Sequence, residues 1–73
     1  MNMTKEELEF QIATEKAFIK MQRAAQDHMR NLEAVVRSSN VIADLAAFDL
    51  IILFAKDRIA ECEKKIEELE NEN

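Results

Sequence analysis

The chain contains no glycine, no proline, no tryptophan and no tyrosine, and its 73 residues include one cysteine and one histidine. Each absence removes a class of protein. Without glycine there is no loop whose bare backbone can cradle a phosphate. The lone cysteine, Cys62, cannot close a disulfide within the chain, and with the lone histidine, His28, it cannot make a zinc-like cluster. Helical spacing places Ala24 and Leu32 beside His28, and neither is a ligand. Catalysis needs a nucleophile, base or metal held in a cleft, and no such constellation is present. The expectation is a protein that is not an enzyme, with no catalytic residue, no metal and no cofactor.

Shortness sharpens this. A chain of this length makes one domain, here taken as residues 1–73, and its surface is large for its volume. Small scaffolds reach stability through disulfides, a metal or oligomerisation; the first two are excluded, which leaves the third. A membrane span is not expected either. The longest apolar run, Val41 to Ala55, is broken by Asp44 and Asp49 and falls short of the roughly 20 residues a spanning helix needs. The start, MNMTKEELEF, is charged where a signal peptide carries its apolar segment, so a cytoplasmic protein is expected. The formal charge is −5, with acid concentrated at Glu6, Glu7 and Glu9 and in the closing ECEKKIEELENEN. This balance gives no general attraction to nucleic acid or anionic lipid.

What is present is helix. Ala, Leu, Glu, Lys, Gln and Met dominate, and all favour helix in the absence of breakers. Thr4 followed by Glu7 has the spacing of a capping box, in which hydroxyl and carboxylate each satisfy an unpaired backbone amide. In the second half Val41, Leu45, Phe48, Ile52, Ala55, Ile59, Cys62, Ile66 and Leu69 alternate by three and four, the repeat of a coiled-coil seam. A less pure seam runs through Leu8, Gln11, Glu15, Phe18, Gln22, Ala25, Met29, Leu32 and Val36, flanked by Ile12 and Ile19. The step from Val36 to Val41 is out of phase, and it falls on Ser38, Ser39 and Asn40, the one cluster of turn-formers.

These features predict an all-α fold: an antiparallel two-helix hairpin, helix 1 over about 4–37 and helix 2 over about 41–70. Reversal at the turn sets Val36 against Val41, Leu32 against Leu45, Met29 against Phe48, Ala25 against Ile52, Phe18 and Ile19 against Ile59, Ile12 against Ile66, and Leu8 against Leu69. Small residues then meet large ones, as interdigitating layers require. Two chains with exchanged helices would satisfy the same pairs.

The backs of the two helices differ. In helix 2 the positions turned from the seam are Ala46, Ala47, Leu50, Leu53 and Phe54, with Ile51 at their edge; in helix 1 they are Lys16, Lys20, Arg23, Asp27, Arg30, Asn31, Ala34 and Arg37. Burial of a large apolar side chain stabilises by about 1.5–3 kcal/mol, and an exposed patch of this kind marks an interface. The expected solution is a homodimer with helix 2 packed on helix 2 through Ala46, Ala47, Leu50, Ile51, Leu53 and Phe54, forming a dimeric four-helix bundle. A heterologous helix in the same place is the alternative. Asp44 is expected near the helix dipole, Asp49 at the rim within reach of Gln26, His28 as a packed or rim residue, and Cys62 as a small buried hydrophobe opposite Glu15.

Lys16, Arg23, Arg30 and Arg37 recur every seven residues and Lys20 joins them, a line of positive charge able to follow an anionic partner. Asp27 and Glu33 lie at the spacing of intrahelical salt bridges with this row, and no aromatic residue is interleaved for base stacking. In architecture the expected dimer resembles small helical-hairpin regulators that bind plasmid RNA, a likeness of fold that fixes no function. The function expected is a small non-enzymatic interaction or regulatory protein, of the kind bacteria or phages use as accessory factors, acting by self-association and protein binding. A helical dimer binding RNA or DNA through the basic row is the alternative, and an acidic inhibitor that mimics nucleic acid through its glutamate-rich end is the weaker one.

Overall fold

The computed structural model describes residues 3–33 and 39–72, with side-chain surroundings for 3–32 and 42–72. Two helices, α1 (Lys5–Glu33) and α2 (Ser39–Glu70), pack against each other as an antiparallel hairpin, a rod measuring 57 × 18 × 16 Å. Among the described residues no helix is long and apolar enough to cross a membrane.

The start of α1 follows from its capping box. The Glu7 amide donates to Thr4 Oγ1 at 3.2 Å and the Thr4 amide donates to Glu7 Oε1 at 3.0 Å, so two amides without a partner in the helix are satisfied reciprocally. Glu6 and Glu7 lie in the first turn, and Arg30 in the last, as the helix dipole favours. The expected start of α2 is corrected from residue 41 to Ser39, because Ser and Asn are well suited to the opening positions of a helix. Asp44 consequently lies beyond the first turn, which carries no acid, and the dipole effect expected for it fades over that distance. The Val36–Val41 pair, Ala34, Ser38 and the expected end of helix 1 at 37 lie outside the described residues.

The seam of α2 is as expected from Leu45 onward. Ile52, Ala55 and Cys62 are buried, and Leu45, Phe48, Ile59, Ile66 and Leu69 are half-buried, so every described position of the repeat is turned inward. In α1 the seam is corrected by one residue in its second half. Leu8, Ile12, Glu15, Ile19, Gln22, Gln26 and Met29 form the least exposed row, while Ala25 is exposed. Gln26 takes its place at 1% exposure because its amide has partners there: Nε2 donates to the Leu45 carbonyl at 3.2 Å and to Asp49 Oδ1 at 2.7 Å. A buried amide that is hydrogen-bonded avoids the cost of desolvation. Once the row passes through Gln22, Gln26 and Met29, Leu32 is turned about 100° from its continuation at 33. Leu32 is therefore 51% exposed instead of covering Leu45.

Charge brackets the other half of the hairpin. Arg58 Nη2 lies 2.8 Å from Glu15 Oε2, one turn before the Cys62 expected opposite Glu15. Lys5 Nζ meets Glu70 Oε1 at 2.9 Å where the termini of the hairpin come together.

Candidate interaction surfaces

The described residues divide the exterior into three surfaces. The first is the back of α2. Leu50, Leu53 and Phe54 each keep more than half their surface in solvent, as does Ile42 about two turns earlier, and Ile51 lies at the edge of the patch. Ala46 and Ala47 are exposed between them. The seam fixes which way these side chains point: with Leu45, Phe48, Ile52 and Ala55 turned to α1, a helical period of 3.6 leaves the others outward. The patch ends at Asp57; beyond it the same face carries Glu61, Lys64 and Glu68. Ile42 is not among the expected patch residues, although it falls four residues before Ala46 and eight before Leu50 and extends the same face.

The second surface is the basic row. Lys16, Lys20, Arg23 and Arg30 are all exposed on α1, about a quarter turn from the seam, and Arg37 lies outside the described residues. Of the intrahelical bridges expected here, Arg30 meets Asp27 at 3.5 Å, an exposed pair of little energetic weight. Arg23 is not paired with Asp27, and Lys16, Lys20 and Arg23 make no ion pair among the described residues.

The third surface has no counterpart among the expected sites. On the back of α1, turned away from the seam and beside the basic row, Phe10 is 74% and Met21 66% exposed, in line with Ala17 and Ala24. The signal was a second spacing of seven, four and three, masked by the stronger charge pattern. Phe10 and Thr14 border a shallow depression with Met3, Glu6, Glu7 and Gln11. Between the helices, Met29, Phe48, Ile51, Ala47 and Asp44 line a small groove of about 170 Å³.

The remaining polar groups are accounted for by structure. Asp49 is exposed, and its carboxylate is the acceptor for Gln26. His28 is exposed and so is not packed in the hairpin, because the one-residue shift of the α1 seam turns it away from α2. Cys62 is free and buried. No group of three His, Cys, Asp or Glu side chains that could hold a metal occurs among the described residues. The hydrogen bond and charge of Glu70 hold the Lys5 ammonium above its ordinary value. The contact with Glu15 does the same for Arg58, and the backbone amide and hydroxyl of Thr4 hold Glu7 below the usual carboxylate range. These groups stabilise ends and flanks of the hairpin, and none faces a cleft.

No protein-family model, curated protein or solved structure matches this chain.

Proposed function

We propose that the protein is a non-enzymatic helical interaction module that self-associates through the back of α2, as a homodimeric four-helix assembly, and acts by presenting its remaining surface to another protein, in the manner of a small cytoplasmic accessory or regulatory factor. The observation that carries this is the concentration of exposed Ile42, Leu50, Leu53 and Phe54 on one stretch of one helix. The interior of the hairpin is thin. The buried apolar side chains among the described residues are Leu8, Ile52, Ala55 and Cys62, and a core of that size is marginal for a separate domain. A second copy supplies the missing apolar contact with no further sequence, and two-fold pairing is the commonest closed symmetry. The test is light scattering of the wild-type chain and of Leu50→Glu combined with Leu53→Glu. The expected result is a dimer that the double substitution converts to a monomer, with association weakened by at least about a hundredfold, given about 1.5–3 kcal/mol for each leucine returned to water. A monomeric wild type at millimolar concentration rejects the reading.

A second reading, binding of RNA or DNA along α1, is favoured by one observation: Lys16, Lys20 and Arg23 are exposed and without ion-pair partners among the described residues. It predicts retention on RNA or DNA that falls steeply with salt and disappears with Arg23→Glu and Arg30→Glu. Absence of any salt-dependent retention of the wild type removes it.

A further inference from the structure

The patch on α2 has an internal symmetry that bears on how two copies meet, an inference that rests on the self-association proposed above. Leu50 stands at its centre. Ala46 and Ala47 lie four and three residues before it, Leu53 and Phe54 three and four residues after it, and all five are exposed. The spacing is symmetric about Leu50, while the sizes are not: both small residues precede it and both large ones follow. At 100° per residue, Ala46 and Leu53 share one side of the Leu50 direction, and Ala47 and Phe54 share the other.

We infer that the two copies of α2 pair antiparallel, with the two-fold axis passing beside Leu50. Rotation about that axis brings Leu53 level with Ala46 of the partner subunit on one side and Phe54 level with Ala47 of the partner subunit on the other. Each large side chain then meets a small one, four times over in the symmetric interface, and knobs of this kind seat without voids or overlap. A parallel pair gives the opposite result. Phe54 meets Phe54 of the partner subunit, the alanines leave gaps, and Asp57, Glu61 and Glu68 each face their own copy. Like charges at such positions repel. The antiparallel pair sets Asp57 beside Ala43 of the partner subunit and sends the two acidic ends outward in opposite directions. It also opposes the helix dipoles, which the parallel pair aligns.

The two arrangements differ by a distance. Lys64 is exposed on the patch side of α2, beyond the apolar stretch. In the antiparallel pair its two copies are separated by twice the fourteen residues from Leu50, about 40 Å along the helix at 1.5 Å per residue; in the parallel pair they are neighbours, less than about 20 Å apart. Nitroxide labels on Lys64→Cys, in a Cys62→Ala background checked for helicity by circular dichroism, read this by pulsed dipolar spectroscopy. A distance near 40 Å is expected, and one below about 20 Å overturns the inference while leaving the dimer intact. Light scattering on the same sample distinguishes the other failure, since a monomer rejects the self-association on which the orientation depends. If loss of the Cys62 side chain unfolds the hairpin, small-angle scattering of the unmodified chain decides the question. Antiparallel pairing centred on Leu50 leaves each acidic end overhanging, so the particle is about 70 Å long by the same rise per residue. A parallel pair keeps the 57 Å length of one hairpin.

Discussion

The two halves of α2 share one seam and differ in everything else. From Ile42 to Phe54 the helix is apolar on its back as well as on its front, and the hairpin there is clipped by a buried amide, Gln26, on Asp49 and the Leu45 carbonyl. From Ala55 to Glu70 the back is charged, and the hairpin is fastened by ion pairs at Glu15–Arg58 and Lys5–Glu70. Both halves bury the same heptad positions against α1. The inward repeat therefore identifies the partner within the chain, and the composition of the outward positions carries separate information about a partner outside it. A helix that needed only α1 would have the exterior of its second half throughout.

If the turn-proximal half is fixed by packing and one amide, removing that amide has the larger effect. Gln26→Ala withdraws two hydrogen bonds, one of them to a carboxylate, and opens a void at a fully buried position. A cost of about 1–3 kcal/mol is expected, a drop in Tm of roughly 5–15 °C for a chain of this size. Gln26→Leu refills the volume without the bonds, and so recovers part of the loss. Thermal melts of both variants by circular dichroism check this. If both match the wild type, the amide does not hold the turn-proximal half together.

The same residue marks the limit of what the sequence discloses. The α2 seam was legible because Leu45, Phe48, Ile52, Ile59, Ile66 and Leu69 are apolar at the right spacing, and the exposure of Leu50, Leu53 and Phe54 follows from that phase alone. The Gln26–Asp49 contact was also within reach, as two polar side chains at one level of a hairpin. Spacing favours Ala25 over Gln26 for the seam because it ranks residues by polarity, whereas a glutamine can be buried wherever a particular carbonyl and carboxylate await it. That depends on the other helix. The shift turned Leu32 and His28 outward with it. The apolar flank at Phe10 and Met21 was overlooked for a different reason: its alanines are compatible with any helix face, so the pattern is visible only once the true seam has claimed the others.

The open end of the hairpin is expected to respond to pH, and the capping box gives the clearest case. Thr4 holds the Glu7 carboxyl below its ordinary value of 4.5, chiefly through the backbone amide and then through the hydroxyl. A group whose pKa is lower in the folded state than in the unfolded chain stabilises the fold above the unfolded value and loses that contribution as pH falls through the folded one. The cap is therefore intact at neutral pH and is lost as acidification carries the pH down through the lowered folded value, when Glu7 can no longer accept from the Thr4 amide as an anion. Glu7→Gln removes the charge at every pH while retaining an acceptor at that position. Near neutral pH it is expected to melt slightly below the wild type, and the two curves should converge once the medium is acid enough to protonate the wild-type carboxyl, because the wild type has by then lost the same charge. A difference that persists unchanged into acid means that the side chain contributes through something other than its ionisation. Because Glu7 is fully exposed to solvent, the effect is the smallest of those proposed here, and added salt should reduce it further. The same acidification should leave the apolar packing at Ile52 in place, which separates the cap from the core of the hairpin.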